Sequence, residues 1–191
     1  MRIVLLASGN GSLAQSIIDA KQTGALNLEI LELIADKECL AIERAKTAGI
    51  ATKCLPMLED RSTWNDQIFE AVSRLNPDLV VSVGFMRILA PAFVSKFPTI
   101  NTHPALLPNF PGAHAVRDAL ESGVQRTGST VHWVDAGIDT GAIIQQQEVA
   151  VLPEDDEASL HERIKIVERA LIVETLQRLL LMEHQGGTNE S

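Results

Sequence analysis

The sequence predicts an α/β fold: a Rossmann-like, doubly wound, mostly parallel sheet, with C-terminal strands and a long capping helix. Three observations carry this expectation. Short apolar runs alternate with helix-period segments through the first ~100 residues, the pattern of a parallel sheet covered on both faces. The loop Ser8-Gly9-Asn10-Gly11-Ser12 joins the first apolar run directly to the first helical segment. Residues 159–182 then form one long amphipathic stretch.

Each element has its own signal. Ile3–Ala7 is continuously apolar and reads as a buried strand. Ser12–Thr23 carries Leu13, Ile17, Ile18 and Ala20 on a helical period, ends near Gly24, and has Ser12 placed to cap it. Leu28–Ala35 is a second strand, Cys39–Ala48 a helix closed by Gly49, and Ile50–Cys54 a short third strand. Thr63–Leu75 has Trp64, Ile68, Phe69, Val72 and Leu75 on one stripe and stops before Pro77. Leu79–Val83 and Thr99–His103 are the next strands, and residues 114–122 a short helix ended by Gly123. Ser129–Val134 and Ala142–Val149 are later strands, followed by the Ser159–Met182 helix. No repeat, linker or low-complexity block divides the chain. The expected organisation is one domain over residues 1–184, with 1–100 the nucleotide- or phosphate-binding half and 101–184 the catalytic half. The polar segment 185–191, with its Gly-Gly pair, is expected to be a flexible tail.

Composition narrows the function. The 191 residues are 46% hydrophobic and 21% charged, enough for one substantial core. No apolar run is long enough to span a membrane. The apolar N-terminus leads into a glycine loop rather than a cleavage site, so it reads as a strand and not a targeting peptide. Cys39 and Cys54 form no disulfide framework and lack metal-ligand spacing, which fits a cytoplasmic protein, with Cys54 expected to be buried. A net charge of −9 argues against nucleic-acid partners. It still admits a small anion held by backbone N–H groups. The expected partners are small molecules, and the sequence leaves a homodimer open.

Two constellations carry chemistry. In Gly9–Ser12, the glycines permit a tight turn and a close approach to a ligand, and the following helix start favours a phosphate. A plain tight turn is the simpler alternative. Gly9-x-Gly11-x-x-Ala14 also satisfies the dinucleotide fingerprint, with Asp36 placed to accept from a ribose. That pattern is weak alone and leaves Asn101 and His103 unexplained. Asn101 and His103 lie two apart on a strand, so they share a face, and Pro104 ends the strand at its carboxyl edge.

The segment 135–141 carries Asp135, Gly137, Asp139 and Gly141. It reads as a turn or as a carboxylate loop, and its spacing fails the EF-hand pattern. A carboxylate beside His103 would stabilise its imidazolium. Asn, His and Asp with no evident Ser or Cys nucleophile point to acid–base and electrostatic catalysis. His132 faces either the site or the core. His114 starts a helix at the surface, and His161 and His184 fall on solvated helix positions. A zinc site from His103, His132 and an Asp lacks the usual ligand spacing, and no metal is expected.

The chain resembles the phosphoribosylglycinamide formyltransferases, a folate-dependent formyltransferase family of purine synthesis. The resemblance rests on Ile3–Ser12 (IVLLASGNGS), Ala41–Thr52 (AIERAKTAGIAT), Pro77–Phe93 (PDLVVSVGFMRILAPAF), Asn101–Gly112 (NTHPALLPNFPG) and Gly128–Gln145 (GSTVHWVDAGIDTGAIIQ). It implies transfer of a formyl group from 10-formyltetrahydrofolate to the amine of glycinamide ribonucleotide. Asn101, His103 and Asp139 match the family's catalytic triad. The phosphate would lie on Gly9, Asn10, Gly11 and Ser12, with Leu13 standing where the family usually has Asn. The pterin would lie against Met86, Arg87, Ile88 and Leu89, with Val134–Asp139 as the other wall, making residues 101–184 the folate-loop half as well. Glu168 matches a glutamate that contacts the ribonucleotide, and Arg61 stands near an arginine of the family. The Leu107–Pro108 bond matches a cis peptide.

Other readings make different demands. A formyltetrahydrofolate deformylase would carry an N-terminal regulatory domain, whereas this chain starts directly at its first strand. A methionyl-tRNA formyltransferase would add a C-terminal RNA-binding domain and a less acidic surface. A sugar N-formyltransferase is admitted by Leu13. A nonenzymatic nucleotide-binding module explains the glycine loop but not GFMRIL or Asn101-x-His103. A nicotinamide oxidoreductase would show bound NAD(H) fluorescence.

Overall fold

The continuous apolar runs become buried strands, and their two faces are covered by different helices. The computed structural model describes residues 1–186, with side chains through residue 182. Its strands are β1 (Arg2–Ala7), β2 (Glu29–Ala35), β3 (Thr52–Cys54), β4 (Leu79–Ser82), β5 (Thr99–His103), β6 (Arg126–Trp133) and β7 (Ile143–Ala150). They form one sheet in the order β3-β2-β1-β4-β5-β6-β7. β1 to β5 pair in parallel, whereas β6 runs antiparallel to β5 and β7 antiparallel to β6.

Period two sorts β1 into two layers. Ile3, Leu5 and Ala7 join the core under α1 (Ser12–Gln22), α2 (Leu40–Thr47) and α6 (Glu157–Gly186). Val4 and Leu6 join Trp64, Ile68, Phe93 and Phe97 of α3 (Arg61–Leu75) and α4 (Pro91–Lys96) with its C-terminal flank. A smaller cluster seats α5 (Ala115–Glu121) against α6 through Val116, Leu160 and Ile164.

Several boundaries differ from expectation for identifiable reasons. Ser12 does not cap α1: Gly11 occupies the cap with φ 75°, and no side chain bonds there. α3 starts earlier than expected because Asp60 accepts from the Ser62 and Thr63 N–H groups at 3.1 and 3.2 Å. α4 was not expected, yet Pro91 at its first position is a helix-start signal. The β6–β7 pairing extends to Arg126 opposite Ala150, so β6 begins three residues before the expected Ser129. β3 keeps only Thr52–Cys54 of the expected strand, and Cys54 is half-buried rather than buried. α6 continues through Gly186, so residues 185 and 186 are helical rather than tail. The rest of that expected tail lies outside the described residues. No helix among the described residues is long and apolar enough to cross a membrane.

The topology fixes where a ligand fits. The chain winds from β1 to β2 and β3 on one side, then to β4 and β5 on the other. The crevice at the carboxyl ends of β1 and β4 is the switch point at which open α/β sheets bind ligands. Ser8 joins its two rims. Its N–H donates to the Gly84 carbonyl at 3.1 Å, and its hydroxyl accepts from the Met86 N–H at 2.9 Å.

Candidate active site

β5 brings Asn101 and His103 to one edge, and the antiparallel β6 sets His132 directly opposite Asn101. His103 is buried, 4% exposed. Its Nε2 lies 2.8 Å from the Phe110 carbonyl oxygen and its Nδ1 3.3 Å from Asp139 Oδ2. A carbonyl only accepts, so Nε2 carries a proton; an imidazolium would donate on both sides. His132 Nδ1 lies 2.9 Å from the Trp133 carbonyl and therefore donates to it. Its Nε2 faces Asn101 Nδ2 at 3.4 Å and Asp139 Oδ1 at 3.5 Å. A neutral His132 accepts from the amide, and a protonated one donates to the carboxylate.

Asp139 thus stands between two imidazoles and also accepts from the Gly112 N–H at 2.8 Å. Burial pushes its carboxyl up. Hydrogen bonding with His132 and Gly112, with the nearby imidazole charges, outweighs burial and holds Asp139 below the usual carboxylate range. The loop after β6 delivers it. Asp135 accepts from the Gly137 N–H at 2.9 Å and the Thr140 hydroxyl at 2.7 Å, closing the turn. Gly141 passes so close to β6 that a Cβ there would fall 1.7 Å from the Trp133 carbonyl oxygen. Asp135 therefore serves the loop, and Asp139 projects from it with φ 54°. The adjoining cleft, about 260 Å³, is lined by Leu107, Pro108, Ile138, Asp139 and Ile143. The Leu107–Pro108 peptide at its base is cis, as expected.

The loop after β4 supplies an apolar rim, with Met86 71% and Ile88 63% exposed and Leu89 turned into the core. Val134 is held by its N–H on the Thr99 carbonyl at 2.8 Å. Arg87 pairs through Nε with buried Asp36 at 2.5 Å. This overturns the idea that Asp36 serves a ribose, because its side chain is 1% exposed and committed to the ion pair. Arg61, which the resemblance sets near a family arginine in the substrate-binding set, donates to the Ile88 carbonyl and stacks over Trp64 at 4.7 Å. It stands beside the β4 loop.

In the glycine loop, Gly9 and Asn10 are exposed and Ser12 is the first helical residue. Leu13 is 9% exposed and points into the core, so only its backbone can serve a ligand. Glu168 on α6 is 6% exposed, and burial raises its carboxyl to about 7 against the pull of Lys165 and Arg169. His114 stands at the N-cap position of α5, with no capping bond from its side chain, and is exposed, as expected. His161 is half-buried, and burial lowers its pKa. The His184 side chain lies outside the described residues. No group of three or more His, Cys, Asp or Glu among the described residues could hold a metal ion.

The model of the formyl transferase family matches residues 1–176. The chain belongs to the formyl transferase family. It is 50% identical over 182 residues to the phosphoribosylglycinamide formyltransferase of Mycobacterium tuberculosis, covering 93% of this chain and 84% of that one. It is 39% identical over 170 residues to the trifunctional purine biosynthetic protein adenosine-3 of Drosophila melanogaster, covering 85% of this chain and 13% of that much longer one. The crystal structure of phosphoribosylglycinamide formyltransferase from Bacillus halodurans superposes with a TM-score of 0.90 at 35% identity, covering 94% and 95% of the two chains. The chain is an enzyme of the formyl-transferring class found in purine biosynthesis.

Seen as a formyl transferase, the structure adds residues that sequence reasoning missed. The Phe110 carbonyl on His103 has no sequence signal, because backbone contacts carry none. His132 had a signal, an imidazole on a strand, but only the antiparallel register turns it toward Asn101. The Asp36–Arg87 pair joins residues 51 apart and was invisible to local pattern.

Proposed function

We propose that the chain transfers the formyl group of 10-formyltetrahydrofolate to the amine of glycinamide ribonucleotide, without a covalent enzyme intermediate. The carrying observation is the convergence of Asn101, His103 and Asp139 beside an apolar cleft. The amine lone pair attacks the formyl carbon, and the carbonyl electrons move onto oxygen. Asn101 N–H and the His103 imidazolium donate to that oxyanion. His103 Nε2–H donates to the Phe110 carbonyl at 2.8 Å, and the oxyanion would take that hydrogen bond over from the carbonyl while Nδ1 stays on Asp139. The tetrahedral intermediate then collapses and the bond to folate nitrogen breaks. The attacking nitrogen loses one proton and the folate nitrogen gains one, relayed by His103 or a water held by Asp139.

The glycine loop would hold the ribonucleotide phosphate, and Glu168 would face its ribose. The pterin would lie against Met86–Leu89 and Val134–Asp139. Absorbance at the folate chromophore tests this reading. Turnover that requires glycinamide ribonucleotide supports it. Full turnover without the ribonucleotide indicates a deformylase, and turnover only with an amino sugar nucleotide indicates a sugar N-formyltransferase.

A further inference from the structure

The glycine loop carries no cationic side chain of its own, yet it is gripped from behind by α2. Ala41 N–H donates to the Gly9 carbonyl at 3.1 Å. Arg44 Nε donates to the Asn10 carbonyl at 3.0 Å, with Nη2 at 3.5 Å from Asn10 Oδ1 and Nη1 at 3.4 Å from Gln15 Oε1. The contact is close enough that a Cβ on Gly11 would fall 2.6 Å from Ala41 Cα.

In a trans peptide the carbonyl and the following N–H point in opposite directions. Fixing the Gly9 and Asn10 carbonyls toward α2 therefore aims the Asn10 and Gly11 N–H groups the other way. Neither N–H donates to an acceptor among the described residues. A guanidinium on the Asn10 carbonyl also polarises that peptide and strengthens its N–H as a donor.

We infer that Arg44 is a positioning residue for the ribonucleotide phosphate: it sets and polarises the loop peptides from behind without touching the substrate. The inference rests on the proposed function for the identity of the phosphate's carrier. It explains how a loop bearing Leu13 and no lysine or arginine can hold a dianion. The backbone supplies the donors, and the charge lies one peptide away.

The test uses the full chain with Arg44→Met and Arg44→Lys. In Arg44→Met the KM for glycinamide ribonucleotide and the inhibition constant of inorganic phosphate should both rise about tenfold. The KM for 10-formyltetrahydrofolate should move less than about twofold, and Arg44→Lys should recover part of the loss. An unchanged ribonucleotide KM overturns the inference. Equal rises in both KM values with a lowered melting temperature also overturn it, since that marks a merely structural arginine. If wild-type protein formylates no glycinamide ribonucleotide, the proposed acceptor fails on its own. The inference is then decided by calorimetry with inorganic phosphate, where about tenfold weaker binding by Arg44→Met supports it and equal binding overturns it.

Discussion

On the parallel side of β5 the glycine loop offers backbone donors, and on the antiparallel side His103, His132 and Asp139 offer titratable side chains. At Gly9–Ser12 the Asn10 and Gly11 N–H groups meet no acceptor among the described residues, and Leu13 is turned into the core. Beside β5 and β6, His103 and His132 each come within 3.5 Å of Asp139, on its two carboxylate oxygens. The contrast has a chemical reason. Peptide donors hold a charge whose position does not change, and they tolerate side-chain replacement. Moving a proton needs titratable groups, which strand register must bring together from separate parts of the chain. Binding in the first half should therefore survive side-chain variation that the second half cannot accept.

The sharpest break is expected on the antiparallel side. His103→Ala should cut kcat by about 10²–10³ while folate affinity stays near wild type. Steady-state kinetics with both substrates measures this, and a kcat within a few-fold of wild type would remove His103 from the chemistry.

Glu168 gives the next largest effect. Its folded carboxyl titrates at about 7, above its ordinary 4.5. Between those values the folded state binds more protons than the unfolded one. Its contribution to stability is therefore full below about pH 4.5 and is lost as pH rises to 7. Glu168→Gln should be up to about 3 kcal/mol more stable than wild type at pH 8 and nearly equal at pH 4.5, by urea midpoints. No pH dependence in the difference would contradict the burial argument.

Gly11→Ala probes the parallel side. With φ 75° and no room against Ala41, it should cost about 2 kcal/mol of stability and raise the ribonucleotide KM. Folate KM should hardly move; a loss shared by both substrates would erase the division between the two sides. The smallest effect belongs to neither site. Asp60→Ala removes the α3 cap and should lower stability by about 1 kcal/mol in thermal unfolding.

The same contrast governs what was legible in the sequence. The parallel half announced itself, because Ile3–Ala7 and Leu79–Val81 are continuous apolar runs and the glycine loop follows its strand directly. Asn101 and His103 were legible because period two sets both on one face. The register of β6 against β5 was not, so the direction of His132 was undecided. The Asp36–Arg87 pair and the Arg44 contacts join distant segments, and no local pattern encodes them. The contact of Arg61 with the loop after β4 joins distant segments in the same way, so its position in sequence does not reveal it.

The central claim is that side chains of the antiparallel edge perform the transfer while the parallel edge holds the ribonucleotide. Single-turnover formyl transfer at saturating concentrations of both substrates, comparing His103→Ala with Gly11→Ala, tests it most directly. The account predicts a rate at least about 10² below wild type for His103→Ala and one within about tenfold for Gly11→Ala. Equal rates in the two variants, or a slower transfer in Gly11→Ala, would contradict it.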